Sequence, residues 1–245
     1  MEGEVAHHLG RVLRAERGQL YELSDGTRVC LARIEDVKRD RIEFSLVEEL
    51  PVQQPALQTT LFLSIVKFDA FEFALEKATE LGVNTIVPLA AVRSEKGLLS
   101  AAPRRAGRWE KILLEASQQS RRVRLPALAP LTKSEKAFSS HSDAEPLYII
   151  LSERASAPSL RSSLEKGAGW PREERGKKPG LRDGDVKSPL QAVLAIGPEG
   201  GWTDDELQAA TRNGFQEASL GRLILRTETA VIAALAALNY ALGTD

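Results

Sequence analysis

The chain has 245 residues, 42% of them hydrophobic, and sets 33 Lys and Arg against 34 Asp and Glu for a net charge of −1. That balance supports a sizeable core, excludes wholesale disorder and argues against a protein devoted to nucleic-acid binding through charge alone. The most apolar stretch, Ala230 to Leu242, is interrupted by Asn239 and falls short of the roughly 18 residues a bilayer span needs. Glu2, Glu4, His7 and His8 stand where a signal peptide requires a basic start and an apolar run, so a cytoplasmic protein is expected. The single cysteine, Cys30, leaves no internal disulfide or multi-cysteine metal site, and His7, His8 and His141 form no zinc-binding spacing, so no metal is expected.

From residue 1 to 53 the chain reads as short β-rich pieces. Gln19–Leu23, Arg28–Ile34 and Arg41–Val47 are punctuated by Gly18, by the hairpin signal Asp25-Gly26 and by Arg39-Asp40. This suits a small antiparallel barrel. Leu50 to Pro55, with two prolines and two glutamines, reads as a linker. From 57 onward strands and helices alternate. Thr60–Val66, Thr85–Leu89, Leu147–Leu151 and Ala192–Ile196 are apolar strands, which implies a parallel sheet covered on both faces. Asp69 and Glu72 have capping-box spacing for a helix that ends at Gly82. Arg104–Ser120 is a second helix, with Trp109, Ile112, Leu113 and Ala116 on its buried stripe.

Two segments hold local charge. Seven basic residues face two acidic ones between Arg104 and Arg124, and nine face five between Arg154 and Lys187. Such patches on a neutral chain permit an anionic partner. Residues 154 to 189, rich in Ser, Gly, Pro and charge, show no clean periodicity and read as a mobile surface insertion, or as a loop that orders on a polyanion.

Ile196-Gly197-Pro198-Glu199-Gly200-Gly201-Trp202-Thr203 carries a strand into a glycine-rich turn, and Thr203 with Glu206 caps the helix that follows. The crevice beyond the carboxyl ends of parallel strands is where ligands bind. Neither a phosphate-binding Gly-Lys-Ser/Thr nor a GxGxxG pattern is present. Arg226, Thr227 and Glu228 then set a cation, a hydroxyl and a carboxylate side by side before the apolar helix Ala230–Leu242. Spacing alone leaves Thr227 as a helix cap with Arg226 and Glu228 paired with each other or with neighbours, or all three as site residues. The helix is apolar nearly all round and must be buried in a core or against another subunit. Trp109 reads as core; Trp202, in its turn, reads as more open and able to stack a base.

In order and spacing, Ala6-His7-His8-Leu9 with Arg11 to Arg14, Glu76 to Val83, Pro88-Leu89, Arg93-Ser94, Glu115-Ala116 with Gln119 to Arg121, Ile196 to Gly201 and Leu220 to Ala230 resemble the RsmE family along nearly the whole chain. That family methylates N3 of a uridine in 16S ribosomal RNA. The resemblance implies a PUA-like RNA-binding β-barrel over 1–53 and, over 57–245, an α/β SPOUT-type parallel sheet with a C-terminal trefoil knot, an exception to the rule against threaded chains. It implies S-adenosylmethionine as cofactor, a homodimer, and as partner 16S ribosomal RNA or the assembled small subunit. The cofactor would meet Leu151, Ser152 and Glu153, then Ile196, Gly197, Pro198, Glu199, Gly200 and Gly201, then Leu220, Gly221, Leu223, Ile224 and Leu225.

Carried over in the same way, Arg226, Thr227, Glu199 and Glu228 are the catalytic candidates. Uracil N3 attacks only once its proton leaves, so Glu199 or Glu228 accepts that proton and Arg226 steadies the developing anion. His8, Arg11, Arg14, Arg93, Arg121 and Arg122 are the candidates for RNA contact. Family members carry a longer arm with an Arg-rich strand before the position of Ala6, so the barrel is expected to be shortened here, and the insertion to act as a lid or a further RNA contact. Two rivals stand: a SPOUT enzyme that modifies another base, and a ribosome-assembly protein that binds RNA without catalysis.

Overall fold

Within Met1–Gln54, the first of two units into which the chain divides, alternating side chains make a three-stranded antiparallel sheet of β1 (Leu20–Ser24), β2 (Val29–Val37) and β3 (Ile42–Leu50) in that order. In the computed structural model residues 1–11, 14–52, 55–140, 146–166 and 189–243 are described. The β1–β2 turn forms where Asp25-Gly26 announced it. The Asp25 carboxylate accepts from Thr27 N at 2.9 Å, Thr27 Oγ1 at 2.7 Å and Arg28 N at 2.8 Å, while Gly26 supplies a φ of +88°. These donors hold the Asp25 carboxyl well below the usual carboxylate range. Their contribution is therefore complete above that range and is lost as pH falls through the lowered value.

The β-rich first unit opens with a helix that the sequence pattern did not announce. Glu4–Arg11 is a helix, α1, and it brings Ala6 against Ala15, Ile34 and Ile42 in the unit's small core. Ahead of it, Met1 exchanges backbone bonds with Ile42 (3.0 and 2.9 Å), and Glu2 bridges antiparallel to Arg41.

The second unit, Pro55–Asp245, is built on β4 (Leu57–Ser64), β5 (Thr85–Ala90), β6 (Ala127–Leu128), β7 (Thr132–Lys133), β8 (Leu147–Leu151), β9 (Leu190–Ile196) and β10 (Gln216–Ala218). Their order is β10-β8-β9-β4-β5-β6, with β7 also on β5, and every pairing is parallel. The helices are α2 (Phe68–Glu80), α3 (Lys96–Ala101), α4 (Ala106–Gln119), α5 (Ser134–Phe138), α6 (Leu160–Lys166), α7 (Asp204–Arg212) and α8 (Thr227–Leu242). Strands buried on both faces need no polar alternation, and each contributes to two cores. Leu61, Leu63, Ile149, Leu194 and Ile196 join Phe71, Leu113, Val231 and Leu235 on one face. Phe62, Ile150, Val193 and Ala195 join Phe138, Leu207 and Phe215 on the other.

Three local expectations are corrected. Asp69 and Glu72 do not cap α2, whose N-cap is Lys67 without a side-chain bond. Buried Glu72 instead accepts from Arg105 Nη1 at 2.9 Å and Arg108 Nε at 2.7 Å, tying α2 to the entry of α4. The 154–189 stretch is not loop throughout. Ser159 bridges Ser219, and α6 buries Leu160 and Leu164, an i, i+4 pair, in the main core. The remainder of that stretch, 167–188, lies outside the described residues, as does His141. Thr227 is not a cap either, because α8 starts from Arg226 without a side-chain cap bond. The Thr203–Glu206 capping box forms as its spacing predicts. No helix among the described residues is long and apolar enough to cross a membrane.

Candidate functional site

Three loops converge beyond the carboxyl ends of β8 and β9. The first leaves β8 at Leu151; the second is the turn after Ile196; the third, 219–226, runs from β10 to α8. Together they enclose a cleft of about 430 Å³, within the range of small-molecule sites. Leu151, Ser152, Glu153, Ile196, Gly197, Pro198, Glu199, Gly201, Leu220, Gly221, Leu223, Ile224, Leu225, Arg226 and Thr227 all line it.

The glycine-rich turn is fixed from several sides. Trp202 Nε1 donates to Leu151 O at 2.9 Å, locking the second loop to the end of β8. Thr227 Oγ1 donates to Gly197 O at 3.2 Å, locking it to the start of α8. Gly201 N donates to Pro198 O at 2.8 Å with a Gly201 φ of +66°, which closes the turn itself. Glu206, buried beneath, accepts from Thr203 N at 3.0 Å and from Val92 N at 3.0 Å. A wall held at so many points is preorganised rather than induced.

Glycine is required here for space or for backbone conformation. A Cβ on Gly197 would lie 3.1 Å from the Trp202 indole, while at Gly201 the φ of +66° is the constraint, because the nearest atom, Glu153 Oε1 at 3.0 Å, ends a flexible side chain. At Gly221 the φ of +134° is the constraint, for nothing stands within 4 Å of its Cβ position. Part of the lining is apolar, with Leu151, Ile196 and the exposed side chains of Leu223 and Ile224. A cleft with a partly apolar lining, closely approachable backbone and a mixed charged rim suits a flat heterocycle joined to a zwitterionic chain, and S-adenosylmethionine has that chemistry.

Other expected site residues fall elsewhere. Gly200 is not part of the cleft lining; its Cβ position faces Arg93 Cβ at 3.3 Å. Glu228 also lies off the lining and Glu199 on it. Among the described residues neither Arg226 nor Glu228 has an ion-pair partner, so the pairing with each other or with neighbours that spacing allowed is not formed. Trp202, read from the sequence as open, is 7% exposed and packs edge-on against Phe138. Trp109 is core, 2% exposed beside Phe71.

The basic candidates separate. Arg93 lines the cleft, and its Nη1 donates to Gly200 O at 2.8 Å and Trp202 O at 3.1 Å, which sets it against the turn. Arg122 Nη1 donates to Thr79 O at 2.8 Å, and burial pulls its guanidinium below the usual value. Arg121 and Arg122 follow α4 and precede β6, which pairs with the first residues of β5; they sit at the end of the sheet away from the cleft. Arg11 and Arg14 are exposed in the first unit, and the side chain of His8 lies outside the described residues. The sequence reading missed Arg154, Asp204 and Arg222 on the rim, where Arg154 and Asp204 form an ion pair. Their only sequence signal was adjacency to the motifs.

Comparison with known proteins follows the same lines. A family model described as the RNA methyltransferase domain matches residues 53–239. The ribosomal RNA small subunit methyltransferase E of Synechocystis is 34% identical over 236 residues, covering 95% of this chain and 70% of its own. That of Bacillus subtilis is 27% identical over 252 residues, covering 97% and 88%. Among solved structures, the Neisseria gonorrhoeae methyltransferase E bound to S-adenosylmethionine matches at a TM-score of 0.80 and 32% identity, covering 99% of this chain and 91% of that one. A Legionella pneumophila methyltransferase structure with bound S-adenosylmethionine matches at 0.79 and 29% identity, covering 100% and 92%.

Proposed function

The chain belongs to the RNA methyltransferase domain family, among the ribosomal RNA small subunit methyltransferases E, and from that premise we propose that it transfers a methyl group from S-adenosylmethionine to N3 of a uridine in 16S ribosomal RNA. The observation that carries this reading is the meeting of the three loops in one cleft whose glycines are required by Trp202 and by backbone geometry. When bound, S-adenosylmethionine supplies an electrophilic methyl on a sulfonium.

The residues then divide the remaining work. Leu223, Ile224 and Leu225 cover the adenine, and the turn from Gly197 to Gly201 holds the methionine end through backbone groups. Arg226, exposed at the rim, steadies negative charge on a uracil carbonyl oxygen as N3 loses its proton. Glu199 takes that proton; its place on the lining favours it over Glu228. Thr227 is assigned to holding Gly197 rather than to the uracil.

The same reading extends to the whole chain. The first unit is PUA-like and binds RNA, with Arg11 and Arg14 in contact. The second is a SPOUT domain whose last segment, 219–242, is threaded into a trefoil knot; its return from β10 past the glycine-rich turn supports this. The partner is 16S ribosomal RNA or the small subunit, the protein works as a homodimer, and its place is the cytoplasm.

The test is direct. Small subunits lacking the modification, incubated with the protein and S-adenosylmethionine, are expected to gain 3-methyluridine by nucleoside mass spectrometry, and Arg226→Ala to remove most of that product. A different methylated base, or none from a protein that binds the subunit, would refute the assignment.

A further inference from the structure

Arg93 lies on a loop that is itself immobilised. Ser94 Oγ, buried, donates to Ile65 O at 2.7 Å where β4 exits, and Val92 N donates to Glu206 Oε1 at 3.0 Å. From that platform one nitrogen of Arg93, Nη1, reaches two carbonyl oxygens of the same turn, Gly200 O at 2.8 Å and Trp202 O at 3.1 Å. Its two hydrogens thus fix two peptide planes on either side of Gly201, the residue with a φ of +66°. The stem of the side chain lies over Gly200, where a Cβ would come within 3.3 Å of Arg93 Cβ.

We infer that Arg93, itself on the cleft lining, is a positioning residue for the cofactor wall, shaping the glycine-rich turn, and is not an RNA contact. The inference rests on the reading that this cleft binds S-adenosylmethionine. Physically, a turn of three glycines around Pro198 and Glu199 has large conformational freedom to lose when a ligand binds. A guanidinium that already holds two of its carbonyls removes part of that cost in advance. A cation bonded to two neutral carbonyl groups makes charge-assisted hydrogen bonds, the stronger class. Lysine at this position keeps the charge and more than one donor, but its nitrogen lies one bond nearer the backbone than Nη1, so it restores the pair of carbonyl contacts only in part.

The experiment titrates wild type, Arg93→Ala and Arg93→Lys with S-adenosylmethionine by calorimetry and measures RNA affinity against salt in parallel. Wild type binds the cofactor. Arg93→Ala is expected to raise the cofactor dissociation constant roughly tenfold, and to raise KM for the cofactor while leaving kcat at saturation nearly unchanged. Arg93→Lys recovers part of the loss. RNA affinity and its salt slope stay at the wild-type values in both variants.

An Arg93→Ala protein with wild-type cofactor affinity overturns the inference. So does a salt slope for RNA lowered by about one, the mark of a lost phosphate contact. A fall in the melting temperature of the cofactor-free protein, with Arg93→Lys no better than Arg93→Ala, also overturns it in favour of a merely structural role. If wild type itself fails to bind S-adenosylmethionine, the cofactor reading falls, and that result is distinct from any of these.

Discussion

A Cβ on Gly197 would stand 3.1 Å from both Cε2 and Nε1 of Trp202, so the identity of one residue depends on the ring of another five positions on. The ring is held in turn by its bond to Leu151 O and by Phe138. Gly197→Ala must therefore push the indole out of place or break that bond, and overpacking of this kind costs about 1–3 kcal/mol. Trp202→Phe loses the bond but frees space beside Gly197, so the two changes are not independent. Melting curves of both single variants and the double variant are expected to show the double less destabilised than the sum. Strict additivity would mean that the contact does not constrain Gly197. The glycine cluster was legible in the sequence because such a turn follows an apolar strand. The indole beneath it was not, because a tryptophan in a turn carries no periodicity to mark it as buried.

Among the elements, legibility followed the same logic of pattern. The β strands announced themselves because runs such as Leu61-Phe62-Leu63 and Ile149-Ile150-Leu151 are apolar on both faces, and the sheet buries both. Two features escaped. Glu72 sits in capping-box register with Asp69, but two arginines from the following helical segment compete for its carboxylate and win; a contact more than 30 positions away leaves no trace in local spacing. The helix α6 was hidden because seven residues with two leucines fall below the length at which a stripe stands out from a polar background. Burial now gives it a measurable weight. Leu164 is 4% exposed in the main core, so Leu164→Ala is expected to destabilise the protein by about 2–4 kcal/mol. Chemical denaturation checks this, and a midpoint equal to wild type would return 160–166 to the surface loop that the composition implied.

At the scale of the whole molecule, α8 raises the question of what its outer side meets. Its inner residues Val231, Ala234, Leu235 and Leu238 are fully buried in the second unit, yet the remaining surface is scarcely more polar. Ala236 and Tyr240, one turn apart, are exposed, Tyr240 at 93%, and Asn239 uses its amide on Leu81 O at 2.8 Å. Leu223 and Ile224, at the cleft, are 82% and 79% exposed. Large apolar side chains left bare on a helix face and on the lip of a cleft cost solvation unless a partner covers them. In the homodimer proposed above, a second copy of the chain would be the covering surface. Such interfaces are self-complementary, so one charge introduced on the face appears twice and acts against itself. Ala236→Glu with Tyr240→Glu is therefore expected to convert a dimer into a monomer by analytical ultracentrifugation. Neither position contributes to the core of the second unit, so the melting transition of the monomer should persist. A wild-type protein that sediments as a monomer at micromolar concentration, or a double variant that remains dimeric, would place the partner surface elsewhere. The monomer also reports on the cleft: if the second copy shelters Leu223 and Ile224, loss of the dimer exposes them to water and weakens cofactor binding at the same time.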